Sequence, residues 1–128
     1  MCSALTDAKY VSLATFRRTG KRVATPVWCA EDAGVFYVFS AGSAGKIKRL
    51  RNSDHAQLAV CDVRGKLLAD WCDATAVVLD APADIEQALS ALRNKYGFGM
   101  WLADVGAKLT GRFYQRAYIG IRLKSPDP

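Results

Sequence analysis

Thr25–Arg51, TPVWCAEDAGVFYVFSAGSAGKIKRLR, is the stretch whose reading decides the fold. It reads as two apolar strands joined by an acidic turn with glycine, then a loop of small residues, then a short helix opening on lysine. Four of that helix's first six residues are basic: Lys46, Lys48, Arg49 and Arg51. Positive charge at a helix N-terminus opposes the macrodipole, at a cost of ~0.3–1 kcal/mol per charge. A bound anion reverses the conflict, because free backbone N–H groups and lysines then converge on it. The first expectation is a phosphate site at the end of a β-sheet.

Working outward, residues 10–16 and 22–30 form strands around a basic turn, Arg17-Arg18-Thr19-Gly20-Lys21. Residues 35–40 (VFYVFS) form a third strand, and Ser43 is the expected N-cap of a helix over 46–52. Residues 57–62 give a fourth strand. Residues 67–79 give a fifth, long enough to expect a bulge or strong bend. Asp80-Ala81-Pro82 opens a helix with an Asp cap and a first-turn proline, and Gly97 ends it. Phe98, Trp101, Leu102, Val105 and Leu109 repeat the helical spacing, which predicts a second amphipathic helix whose stripe is a packing face. Ala117, Ile119, Ile121 and Leu123 alternate with Arg116, Tyr118, Gly120 and Arg122, as a half-buried strand does. Six strands interrupted by helices predict a mainly β fold, a closed or nearly closed small barrel in one domain over 1–128.

Composition agrees. The chain has 128 residues, 51% apolar and 23% charged, which is ordinary for a globular domain. No basic-then-apolar leader or membrane-crossing run is visible, so a soluble cytoplasmic protein without membrane contact is expected. Cys2, Cys29, Cys61 and Cys72 form no CxxC pair, and His55 is the lone histidine. A reduced compartment without a zinc site is the simplest account. The net charge of +6 favours anionic partners of some kind.

In a meander, the basic turn at 17–22 and the loop before Lys46 fall at the same end of the sheet. Eight of the 18 basic residues gather there, either as solvated loops or as an anion site. Pro26 lacks a ladder donor and belongs at an edge or bulge. Backbone groups of Thr25, Val27 and Trp28 are then free for a flat heteroaromatic ring, or simply form a strand edge. Trp71, after Asp70 and read as mid-strand, is a candidate ligand or subunit contact. No acid–base or nucleophile constellation stands out, so no catalytic side chain is assigned. An enzyme of this kind needs a cofactor that carries the chemistry.

The segments ATFRRTGKRVATPVW, VFYVFSAGSAGKIKRLRN and AVCDVRGK together resemble the pyridoxamine 5′-phosphate oxidase-like split-barrel superfamily, and within it the flavin/deazaflavin oxidoreductase B group. The likeness runs from about Tyr10 through LRNKYG, ending at Gly97. It implies a six-stranded, FMN-binding-like split β-barrel with peripheral helices, and a homodimer with cofactor sites at the interface. It also implies FMN or the deazaflavin coenzyme as cofactor, hydride transfer, and a small unsaturated substrate. Carried over, Thr25, Pro26, Val27 and Trp28 line the ring. Phe39, Ser40, Lys46 and Lys48 face the ribityl-phosphate, and Trp71 closes the site from the partner subunit. The deazaflavin's acidic tail would neighbour the 17–22 turn. Cys29 replaces a frequent Phe and Ser40 a frequent Thr. The superfamily also includes tetrapyrrole binders, so a carrier of FMN or a tetrapyrrole without turnover is the alternative. A barrel binding single-stranded nucleic acid ranks lower, because the aromatics sit in strands apolar on both faces.

Overall fold

The computed structural model describes residues 2–110 and 116–124. Its strands are β1 (Tyr10–Phe16), β2 (Arg22–Val27), β3 (Ala30–Asp32), β4 (Val35–Ala41), β5 (His55–Cys61), β6 (Cys72–Val78) and β7 (Arg116–Leu123). Its helices are α1 (Gly45–Asn52), α2 (Pro82–Tyr96) and α3 (Phe98–Thr110), with a short 3-10 turn at Ser3–Leu5. The strands form one antiparallel, curled sheet in the order β2-β1-β5-β6-β7-β4-β3.

The fold is mainly β, but with seven strands rather than six. The strand expected over 22–30 breaks at Trp28-Cys29. β2 pairs with β1 at one edge of the sheet, and β3 pairs with β4 at the other. One stretch of chain therefore joins both edges. The break has a local cause. Cys29 N–H donates to the Tyr96 hydroxyl (2.8 Å), and its carbonyl accepts from Lys95 Nζ (2.6 Å), so side chains from α2 take the place of ladder partners. Pro26 occupies an edge strand, where its missing N–H costs no ladder bond to a further neighbour.

Alternation sorts the sheet into two faces. Val11 and Leu13, Leu58, Ala74 and Ala76, Ile119 and Ile121, and Phe36 and Val38 fill the interior of the curl. Ile47 and Leu50 on α1 join them from one end, because three-residue spacing puts both on one helix face. On the outside of β3, β4 and β7, α2 buries Ala88, Leu89, Ala91 and Leu92 against Ala30, Tyr37 and Tyr118.

Several local expectations are corrected. The N-caps are Ala44 and Ala81, neither making a side-chain cap, rather than Ser43 and Asp80. Leu67 forms only an isolated bridge to Cys61, and residues 68–71 are irregular, so Trp71 precedes β6 instead of lying mid-strand. Cys2 and Cys72 form a disulfide, which removes the observation behind a reduced compartment; Cys29 and Cys61 are free and buried. The two bridged residues are 70 apart in sequence and meet because the segment before β1 folds back toward the start of β6.

Helix α3 also reverses an expectation. Its apolar stripe of Phe98, Trp101, Leu102, Val105 and Leu109 is exposed, whereas Met100 and Asp104 are buried. Asp104 decides this orientation. Its carboxylate accepts from Arg93 Nε (2.9 Å) on α2 and from an Arg116 guanidinium nitrogen (2.7 Å) on β7. Burial raises the Asp104 carboxyl, but the two guanidiniums outweigh it and hold the group below its ordinary value. Among the described residues, no helix is long and apolar enough to cross a membrane.

Candidate cofactor site

Helix α1 begins four residues after β4, and one of its basic side chains, Arg49, reaches β1. Arg49 Nε donates to Thr15 Oγ1 (2.6 Å), which ties the helix to β1. Phe16, Arg17, Arg18, Arg49, Asn52 and Ser53 line a cavity of about 510 Å³. His55 stacks on Phe16 at 4.3 Å between ring centroids. Burial, and then Arg49, hold the half-buried Lys46 ammonium below its ordinary value. Burial and then Arg17 do the same to Arg49. The ion pairs among the described residues both belong to Asp104, so no carboxylate compensates Lys46, Arg17, Arg18 or Arg49. Lys46 and Arg49 are partly buried while Arg17 and Arg18 are exposed, and partly buried like charges without a counter-charge are unfavourable until an anion joins them.

The remaining candidates are distributed over three places. On β2, Thr25 and Val27 alternate with the exposed Pro26, which lies opposite Ser12. Thr25 Oγ1 is buried without a hydrogen-bond partner, the one such side-chain atom among the described residues. Such a hydroxyl costs about 1–3 kcal/mol unless something accepts or donates to it. At the corner after β2, Trp28 stacks on Tyr96 (4.7 Å, 8° between planes) and meets Phe39 edge-on (6.4 Å). The Arg116 guanidinium lies over the Phe39 ring at 4.6 Å. Ser40 is half-buried, with Oγ 3.4 Å from the Ala41 carbonyl, and Lys48 is exposed. Trp71 stands apart from these, beneath Arg22 (4.9 Å). Arg22 in turn donates to Gln57 Oε1 (3.0 Å).

The structure therefore joins Trp28 to Phe39, and Lys46 to the Arg49–Arg17 group, within one chain. It does not bring Trp71 to either. Basic spacing singled out Arg17 and Arg49 as part of a cluster. Arg116 has no comparable sequence signal, since its contact with Phe39 depends on β4–β7 pairing.

Two titratable groups at the corner after β2, Cys29 and Tyr96, are tuned away from neutrality. Burial, partly offset by Lys95, pushes the Cys29 thiol up to about 12. Burial also takes the Tyr96 hydroxyl up to about 12. Among the described residues, no three His, Cys, Asp or Glu side chains gather to hold a metal ion.

No protein-family model matches the chain, and no curated protein matches it in sequence. Solved structures do match. One is a Listeria innocua protein assigned as a pyridoxamine 5′-phosphate oxidase, with TM-score 0.60 and 12% identity over 91% of this chain and 85% of that one. An F420 reductase matches with TM-score 0.60 and 16% identity over 95% of this chain and 92% of its own. The heme storage protein HutZ from Vibrio cholerae matches with TM-score 0.66 and 12% identity over 95% and 84%. These neighbours share the architecture while differing in what they bind. This chain has the pyridoxamine 5′-phosphate oxidase-like split-barrel fold.

Proposed function

We propose that this protein is an oxidoreductase that binds FMN or the deazaflavin coenzyme and moves hydride to or from a small unsaturated substrate. The uncompensated group of Lys46, Arg49 and Arg17 carries the reading, because it suits a phosphate-bearing ligand. The orphan Thr25 hydroxyl suits the same ligand's polar ring edge. A flavin or deazaflavin supplies the hydride chemistry when bound. The chain's residues then have binding roles. Lys46 and Lys48 hold the phosphate with Ser40 beside them, while Thr25, Pro26, Val27, Trp28 and Phe39 shape the ring's wall. In a homodimer, Trp71 of one copy closes the site of the other. Arg17 and Arg18 are placed to receive an acidic tail if the deazaflavin is the ligand. Cys29 and Tyr96, both pushed to about 12, are poor proton donors to a substrate at neutral pH, so the protein's contribution is orientation.

A second reading, a carrier without turnover, is favoured by the heme storage neighbour and by the lack of a tuned acid–base residue. Titrating the purified protein separately with FMN, the deazaflavin coenzyme and heme distinguishes the readings. Tight binding of either flavin-type ligand, followed by turnover of its reduced form with an unsaturated acceptor, is the expected result. Binding of heme alone, or of a flavin without turnover, would make the protein a carrier.

A further inference from the structure

The outer face of the sheet carries a small cavity beside the first turn of α2, and it shares no residue with the cofactor group. Strand register builds it. Tyr37 on β4 lies beside Gly120 on β7, which lies beside Val77 on β6, and Arg122 pairs with Thr75 in the next row. Gly120 has no side chain to fill the space between Tyr37 and Val77, so its backbone forms the floor. A Cβ there would come within 3.1 Å of Leu79 Cδ2. Val35, Leu79 and Asp84 complete the lining around a volume of about 250 Å³.

Three polar groups face this space without partners among the described residues. Tyr37 is only 5% exposed and shares a cluster with Ala88 and Leu89 of α2, but its hydroxyl makes no hydrogen bond and opens to the cavity. Asp84 and Arg122 line the same cavity with opposite charges, and neither forms an ion pair with the other or with any described residue. Burial raises the Tyr37 hydroxyl, Asp32 and Asp84 raise it further, and Arg122 lowers it, so the hydroxyl feels both the carboxylates and the guanidinium. Of the two carboxylates, Asp32 is already engaged by the Gln87 amide (3.3 Å). We infer that the cavity binds a small aliphatic α-amino acid, its carboxylate on Arg122, its ammonium on Asp84 and its side chain against Val35, Val77 and Leu79.

Size and charge select this occupant. Pockets for drug-sized ligands run to about 300–1,000 Å³, so a cavity of about 250 Å³ suits a compact metabolite rather than a nucleotide or a ring cofactor. A simple anion would meet Arg122 and leave Asp84 unpaired beside it, and a simple cation would do the reverse. A zwitterion gives each charge its own charge-assisted hydrogen bond, with the Tyr37 hydroxyl free to bond the same ligand. Val77, 53% exposed, supplies an apolar wall that a purely ionic ligand would not use.

The test is calorimetric titration of the full chain with L-valine, isobutylamine and isovalerate. L-valine carries both charged groups, and each of the others lacks one. L-valine should bind with a Kd of about 1 mM or tighter, and the other two at least about tenfold more weakly. Arg122→Gln and Asp84→Asn should each weaken L-valine by about tenfold or more, and Tyr37→Phe by a few-fold. Arg122 and Asp84 are exposed and Tyr37→Phe keeps the ring, so circular dichroism should show all three variants folded. Absence of L-valine binding up to about 10 mM would overturn the proposal. So would equal affinity for isobutylamine or isovalerate, which would make the cavity a simple ion site. L-valine binding that both Arg122→Gln and Asp84→Asn leave unchanged would overturn it as well.

Discussion

Two lysines in this molecule are drawn out of water by burial, and their surroundings treat them in opposite ways. Lys95, near the end of α2, donates from Nζ to the carbonyls of Ala8 (2.6 Å), Cys29 (2.6 Å) and Thr6 (3.1 Å). It binds the segment before β1 to the corner between β2 and β3. Lys46, at the start of α1, faces Arg49 and has no carboxylate partner. Burial depresses both ammonium groups, yet around Lys95 the next influences, Cys29 and Asp7, favour the charge, whereas Arg49 disfavours it at Lys46. A desolvated cation whose neighbours satisfy it is part of the scaffold. One whose neighbours repel it is poised for an anionic ligand.

Substitution should separate the two. Lys95→Ala takes the ammonium donor from the carbonyls of Thr6, Ala8 and Cys29, of which Cys29 keeps the Tyr96 hydroxyl (3.0 Å), and should cost roughly 1–3 kcal/mol of folding stability, read from urea unfolding. If the midpoint does not move, Lys95 is not the scaffold cation described above. Lys46→Ala should behave in the opposite manner. Its unfolding midpoint should hold, while affinity for FMN or the deazaflavin falls by ~1.5–3 kcal/mol, or about 10- to 100-fold, in a binding titration. Unchanged affinity would take Lys46 out of the site.

The pH dependence sharpens the same contrast. Because Lys46 is held below its ordinary value, affinity for the phosphate should be complete below that depressed pKa. It should then fall, by up to about tenfold per pH unit, as pH rises through it. Binding should therefore take up protons in that alkaline window, and Lys46→Ala should flatten the profile. A flat wild-type profile would show that Lys46 does not sense the ligand. The smallest effect is expected at Thr25. In the ligand-free protein, Thr25→Val removes an orphan hydroxyl and should leave stability unchanged or raise it by up to about 1 kcal/mol. Affinity should drop by a few-fold if that hydroxyl bonds the ring, and a stability loss with unaltered affinity would contradict its role.

Much of this architecture is legible along the chain. Apolar patterning places β1, β4, α1, α2 and β7 within a residue or so, because each is a continuous or periodic apolar run bounded by its own turn signals. What escapes is set by contacts distant in sequence. Residues 22–34 read as one apolar strand, 22–30, and its turn. Only Tyr96 and Lys95 reveal why the chain leaves one sheet edge at Trp28 and joins the other at Ala30. The Cys2–Cys72 pairing has no spacing signature across 70 residues. In α3, periodicity finds the apolar stripe but not which side meets the sheet, and the Asp104 ion pairs settle that. The basic convergence is different again. Spacing predicted it, and the cavity bounded by Arg17, Arg18 and Arg49 realises part of it, while Arg22 is diverted to Trp71.

The corner at Trp28-Cys29 also bears on the sheet's exposure to intermolecular β-pairing. A β-sheet ordinarily offers two independent rims on which a foreign strand can extend the ladder. Here both rims belong to one short stretch of chain, clamped at its midpoint by Tyr96 and Lys95. One rim is interrupted by Pro26, and the other is only three residues long. Loosening the Tyr96–Lys95 clamp would release both templates together, so the risk of intermolecular β-pairing is concentrated in this one hinge.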